Sequence, residues 1–339
     1  MKRQVLLIVG NKGGTNVGES FARATESVGL EVEYCDTALS QSGWHWARRI
    51  SWHFFGRRPL RLAEFSDRLV TLARKVRPTC ILTSGLSPVN RGALSQLRRF
   101  GIQRLHYSTD DPWNPQQKAS WFLSTLTSYD SIFTTRRANI QDFKNLGCSR
   151  VTYLPFAYDP LLVSAGGAGE NDNSEVRTQV LFVGGGDRDR VEILRSLVKA
   201  GFQLAIYGSH WGNDRKLRPA LRGQVGPSTL RSATLAADIN LCLVRRANRD
   251  GHVMRTFEIP AIGGCMLTED TQEHREILGA EGECTIYFRN QEEMVTKARF
   301  LLAHPEERAR LAQAAHRRIT AGRNTYRDRL QTMLGLPET

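Results

Sequence analysis

Two runs of alternating strand-like and helix-like segments, parted by one small polar stretch, constrain this chain more than any other feature. In the first run, Gln4–Gly10, Glu31–Asp36, Thr79–Gly85, Arg104–Asp110, Ser131–Arg136 and Val151–Phe156 read as short strands rich in Val, Ile, Leu, Tyr and Cys. Segments of helical periodicity, notably Val17–Val28, Leu60–Val76 and Arg137–Leu146, separate them. The stretch LLVSAGGAGENDNSEVRT follows Pro160 and reads as a linker or loose surface loop. In the second run the strands are Gln179–Gly185, Leu204–Ser209, Asp238–Val244, Cys265–Thr268 and Cys284–Phe288, and the helices Val191–Ala200, Val253–Ile262, Glu292–Ala303 and Pro305–Thr320. Such alternation specifies parallel sheets with helices on both faces. With 339 residues the chain also exceeds the size at which single cores stop growing. The predicted fold is therefore α/β, with two doubly wound Rossmann-like domains facing a central cleft and ligands beyond the carboxyl ends of the strands. Expected boundaries are a first domain over 1–160, a linker over 161–178, a second domain over 179–322, and a C-terminal helix over 323–339 that can cross back to the first domain.

The second domain holds the densest chemistry. DGHVMRTFEIPAIGGCMLT, from Asp250 to Thr268, reads as a loop, a short helix opening on a cationic patch, a Gly-Gly stop and a buried strand. Unpaired amides at a helix start, here those around Val253 and Met254, together with the positive end of the helix dipole, hold a phosphate or pyrophosphate. His252 and Arg255 sit at that end, and Glu258, one turn beyond Met254, is placed to take both hydroxyls of a ribose. An ordinary αβ unit, with Glu258 in water and Gly263-Gly264 as a C-cap, fits the same residues.

Three further turns follow strands of this domain. Val183-Gly-Gly-Gly-Asp-Arg-Asp-Arg190 lets backbone amides approach a phosphate at Gly185, and Arg188 and Arg190 offer guanidinium donors. Read instead as a metal-binding DxD, Asp187-x-Asp189 is the weaker alternative, and a helix-capping Asp is a third. At Ile206-Tyr-Gly-Ser-His-Trp211 the backbone of Tyr207 and Gly208 can border a base, with Trp211 either stacking on it or packing in the core. Arg245 and Arg246 follow the strand INLCLV as phosphate contacts or solvated charges.

In the first domain Asp110 and Asp111 end a strand just before Pro112-Trp113, where one carboxylate can orient or deprotonate a hydroxyl, or cap the next helix. His106 is a weaker base candidate and reads first as a strand histidine. The loop Gly10–Gly18 is glycine-rich but lacks the ending of a P-loop, so Lys12 and Asn16 carry only a weak signal for nucleotide. Trp44–Arg61 interleaves aromatics with arginines and suits either an anionic membrane surface or a helix packed on the domain. The formal charge of +13 points to an anionic partner, but no nucleic-acid motif accompanies it. Six singly scattered cysteines read as buried thiols, and no apolar run approaches the length of a membrane span. MKRQVLLIVG imitates a signal peptide but reads as the first strand of a cytoplasmic domain.

The run RTFEIPAIGGCMLTEDTQEHREIL, then ECTIYFRNQEEMVTKARFLLAHPEERARLAQAAHRRI and NTYRDRLQTML, resembles the C-terminal half of the CgeB-like (spore maturation protein) glycosyltransferases. That group is related to glycosyltransferase family 4 and has the two-domain GT-B architecture. The resemblance covers Gln179 to Leu334, and Ser108-Thr-Asp-Asp-Pro-Trp113 extends it loosely into the first half. It implies a nucleotide-diphosphate-sugar donor, with Glu258 on the ribose and Arg188 or Arg190 near the diphosphate. It further implies a glycan, lipid-linked or small-molecule acceptor, a retaining reaction, no metal and no cofactor. The N-terminal strand and Trp44–Arg61 add the expectation of a cytoplasmic enzyme that can sit peripherally at the inner face of the membrane. One position departs from the family. Where the first of two glutamates spaced by seven residues belongs stands Asp250, leaving Asp250 or His252 for a role near the transferred sugar. A nucleotide-sugar epimerase on this fold and a non-catalytic saccharide- or envelope-binding protein are the alternatives.

Overall fold

The computed structural model describes residues 4–41, 56–163, 177–212 and 214–337. By packing, the chain divides into two compact units: Met1–Pro155, Ala247–Asp250 and Tyr326–Thr339 form the first, Phe156–Arg246 and Gly251–Thr325 the second. The second unit so defined begins at Phe156, and Ala247–Asp250 packs with the first. Most of the expected linker, 164–176, lies outside the described residues, as do 44–55 of the basic aromatic segment.

In the first unit the order is β1 (Val5–Gly10), α1 (Val17–Ser27), β2 (Glu31–Asp36), α2 (Leu62–Val76), β3 (Cys80–Ser84), α3 (Arg91–Arg99), β4 (Gln103–Ser108), α4 (Ser120–Leu126), β5 (Ser131–Thr134), α5 (Ala138–Asn145) and β6 (Val151–Tyr153). The strands form one parallel sheet in the order β2-β1-β3-β4-β5-β6. Near-continuous apolar strands such as VLLIVG and CILTS are what a sheet covered on both faces requires. On α2, Leu62, Phe65, Leu69 and Ala73 recur at helical spacing and supply a buried stripe.

The second unit runs α6 (Pro160–Val163), β7 (Thr178–Val183), α7 (Arg188–Lys199), β8 (Leu204–Tyr207), α8 (Pro227–Ala236), β9 (Ala237–Cys242), α9 (Arg255–Ile262), β10 (Met266–Glu269), α10 (Gln272–Leu278), β11 (Ile286–Phe288), α11 (Gln291–Ala303) and α12 (Pro305–Ala321). Its parallel sheet has the order β11-β10-β9-β7-β8. Strand order reverses at β7, between β8 and β9, so the turns leaving those three strands border the crevice where such sheets bind ligands. Val180, Phe182, Leu194, Ile206, Leu241 and Leu267 are among its core residues.

The chain closes with α13 (Tyr326–Leu334), which packs in the first unit against α1: the Tyr326 and Phe21 rings meet edge-on at 5.0 Å. All six cysteines are free and buried. Among the described residues no helix is long and apolar enough to cross a membrane.

Candidate active site

At the carboxyl end of the second sheet, the turns leaving β7 and β8 lie backbone against backbone. A Cβ on Gly208, whose φ is +131°, would fall 2.2 Å from the Gly184 carbonyl oxygen, and one on Gly186 would fall 2.6 Å from that of His210. Only glycine fits at either place. Gly184 N–H donates to Tyr207 O at 2.9 Å and Gly186 N–H to Ser209 O at 2.8 Å, stitching the two turns. Tyr207 and Trp211 both have buried side chains, and Trp211 meets Phe182 edge-on at 5.6 Å. Trp211 is therefore a core residue and not a stacking platform.

Asp187 caps α7, accepting from Arg190 N–H at 2.9 Å. The Arg190 side chain is buried, donates to the carbonyls of Gly185 and Leu243 at 3.0 Å each, and lies over the Phe182 ring at 5.5 Å. It ties the turn after β7 to the end of β9. Arg188, with 91% of its side chain exposed, pairs along the helix with Glu192. Arg245 is the arginine seated on the glycine turn. Its Nε is 3.7 Å from Asp187 Oδ2, and its Nη2 is 3.2 Å from where a Cβ on Gly185 would stand. Glu269, unremarked in the sequence, accepts from Val244 N–H and from Arg246 Nη2, both at 3.0 Å, and so fixes the turn on either side of Arg245.

The lead into α9 is built by a hydrogen-bond relay. Val253 N–H donates to Thr256 Oγ1 at 3.1 Å, Thr256 lies 3.0 Å from His274 Nε2, and His274 Nδ1 lies 2.8 Å from the Glu269 carbonyl. Burial pushes the His274 pKa down to about 4, so the ring is neutral: Nδ1–H donates to the carbonyl and Nε2 accepts from Thr256. One amide expected to face a phosphate, that of Val253, is thus taken, and those of Met254 and Arg255 head the helix. His252 is fully buried as well. Its Nε2 accepts from Phe156 N–H at 3.1 Å, and its Nδ1 lies 2.6 Å from Glu273 Oε2. Both ring nitrogens of His252 thus have partners within this unit. A Cβ on Gly251 would strike Glu273 at 2.4 Å, which is why glycine precedes it.

Glu258 is buried in the first turns of α9 and ion-paired with Arg255, one turn before it. Gly263, at φ +101°, ends the helix in the left-handed region, and a Cβ on Gly264 would strike Asn240 and Thr234. Glu258 and Arg245 thus belong to one unit and one end of one sheet.

The other predicted carboxylates belong to the first unit. Asp111 is buried and saturated: Arg249 donates to it at 2.6 and 3.0 Å, Asn139 Nδ2 at 2.8 Å and Trp113 N–H at 2.9 Å. Asp250 forms a buried ion pair with Arg136, whose other donors reach Thr109 O at 2.8 Å and Thr135 Oγ1 at 2.9 Å. Through these ion pairs both carboxylates, which the sequence offers as candidates near reacting groups, anchor Ala247–Asp250 in the first unit. Asp110 is half-buried, with Thr109 Oγ1 at 3.4 Å.

A family model described as glycosyl transferase-like matches residues 188–335, from the start of α7 through α13. The chain carries a glycosyl transferase-like domain. Solved structures extend the likeness to the whole fold. Sucrose-phosphate synthase from Thermosynechococcus elongatus superposes with a TM-score of 0.68 at 14% identity, covering 98% of each chain. HepE from Anabaena, solved with UDP, gives 0.60 at 10% identity over 98% of this chain and 99% of that one. UDP-GlcNAc 2-epimerase from Neisseria meningitidis, bound to UDP-GlcNAc, gives 0.51 at 13% identity over 98% and 100%. The fold is GT-B, with two parallel α/β sheets, and the domain is that of a glycosyltransferase enzyme. A comparison with curated protein sequences gives no match.

Proposed function

We propose that the protein transfers a sugar from a nucleotide-diphosphate-sugar donor to a hydroxyl acceptor, and that it is a CgeB-like enzyme related to glycosyltransferase family 4. The observation that carries this reading is the family match over 188–335, because that span contains α9 with Glu258 at its buried first turns. Structures of the same fold hold UDP or UDP-GlcNAc, which supports a nucleotide-sugar partner. In this reading Glu258 receives the ribose hydroxyls, and the amides of Met254 and Arg255, with Arg245, face the diphosphate. As the glycosidic bond breaks, charge collects on the departing phosphate, and donors preorganised there lower the barrier as well as the dissociation constant. Asp110 orients the acceptor hydroxyl. We further propose a retaining, metal-independent reaction in which the leaving phosphate receives the acceptor proton, with the anomeric configuration of the product, read by NMR, as its check.

Thermal shift against a panel of nucleoside diphosphates, with and without EDTA, tests the donor site, since selective binding raises the melting temperature by mass action. One diphosphate is expected to stabilise wild type in EDTA and to leave Glu258→Ala unmoved; no shift from any diphosphate would overturn the reading. Likeness to an epimerase supports one competing function, which would convert the donor sugar with no acceptor present. Incubation of donor alone separates the two.

A further inference from the structure

Resting on the donor reading above, we infer that Arg245 is the arginine that grips the donor phosphates, and that Gly185, Asp187 and Glu269 are its positioning residues. The turn after β7 is where the sequence places guanidinium groups, at Arg188 and Arg190. Neither is available to it. Arg190 is buried against two carbonyls and Phe182, and Arg188 lies along the solvent side of α7 with Glu192. Arg245 comes from another strand and reaches the same turn.

Three features hold it there. Gly185 has no side chain, and the Arg245 Nη2 atom lies 3.2 Å from the point a methyl carbon would occupy, so the guanidinium lies against the space a side chain would fill. Asp187 turns one carboxylate oxygen to the α7 amide and the other toward the Nε atoms of both Arg190 and Arg245, each at 3.7 Å. Glu269 clamps the residues flanking Arg245, through Val244 N–H and the Arg246 guanidinium. With 30% of its side chain exposed, Arg245 is both oriented and accessible. A guanidinium held in one geometry forms charge-assisted bonds to phosphate oxygens without losing that freedom on binding.

The inference makes residues 185 and 245 one functional unit, and a double-mutant cycle reads that directly. Isothermal titration would use UDP, ADP and GDP, each beside its own nucleoside, on wild type, Arg245→Ala, Gly185→Ala, the double variant and Asp187→Asn. Arg245→Ala is expected to weaken the preferred diphosphate by about tenfold to a hundredfold and to leave nucleoside affinity unchanged. Gly185→Ala should weaken it by a smaller factor, and the double variant should bind no worse than Arg245→Ala alone. Asp187→Asn keeps an N-cap acceptor but removes the charge facing Arg245, so diphosphate affinity should fall at unaltered melting temperature. Unchanged diphosphate affinity in Arg245→Ala, or strictly additive losses in the double variant, would overturn the inference while leaving the donor reading intact. A wild-type chain that binds none of the three diphosphates would overturn both.

Discussion

Two buried histidines are expected to make the folded protein sensitive to acid. His106 is fully buried between Phe122 and Tyr129 with Thr83 Oγ1 2.8 Å from its Nδ1, and burial pushes its pKa down to about 3; His274, in the second unit, is held near 4 by the same cause. Both rings are neutral in the folded state, whereas the ordinary value of 6.5 applies once the chain unfolds. Between those limits the unfolded chain binds more protons, so stability is fully present above 6.5 and is lost as pH falls toward 4. Each group contributes a slope of at most about 1.4 kcal/mol per pH unit. Urea midpoints measured at pH 7, 6 and 5 should decline, and His106→Phe should flatten that decline whatever it does to stability at pH 7. An unaltered slope would mean that another group carries the acid sensitivity. His106, two residues before Ser108, read in the sequence as a strand histidine ahead of a weak base candidate. Every residue of β4 after Gln103 is buried, which places it in the core.

At the scale of elements, the strands and the long helices were legible because their apolar periods are strong, while α8 and α10 were not. PSTLRSATLA and QEHREIL mix small and charged residues whose buried positions follow from what packs on them. The glycine-rich turns and the Gly263 stop were legible too, since only glycine tolerates those approaches. Side-chain destinations were not: Arg190 and Arg245 look alike in sequence, and what separates them is a bond from Arg190 to the Leu243 carbonyl, distant along the chain. The same holds for Ala247–Asp250. In sequence it leads into α9, yet its side chains make first-unit contacts: Asn248 accepts from Asn114 at 2.6 Å, Arg249 grips Asp111 and Asp142, and Asp250 pairs with Arg136. Removing one partner of a buried ion pair strands the other, which costs about 3–5 kcal/mol, while replacing both with apolar residues of like volume is often neutral. Asp250→Ala should therefore lower stability by about that much in urea denaturation, and Arg136→Met/Asp250→Leu should recover most of the loss. If Asp250 were instead a sugar contact, Asp250→Ala would leave stability unchanged and raise the KM for donor.

For the molecule as a whole, the consequence is that the first 155 residues are not a complete folding unit. Their helix α1 packs against α13, delivered from the far end of the chain, where Tyr326, Leu330 and Met333 are buried and Tyr326 closes an edge-on aromatic series through Phe21 to Tyr107. Arg329 is buried with them and donates to Pro155 O at 2.9 Å, and burial pulls its pKa below the usual arginine value. Each fully buried apolar side chain of this size is worth about 1.5–3 kcal/mol. Loss of three therefore amounts to about 5 kcal/mol or more, comparable with the roughly 5–15 kcal/mol that holds an ordinary domain folded. A chain ending at Thr325 should accordingly melt far below the full chain or fail to remain soluble. A synthetic peptide of residues 326–339 should restore part of the lost melting temperature in trans, and a peptide carrying Tyr326→Ala, Leu330→Ala and Met333→Ala should not. Equal melting temperatures for the truncated and full chains would show that α13 adds nothing to the first unit. The triple-alanine control separates the loss of these apolar side chains from the loss of chain length alone.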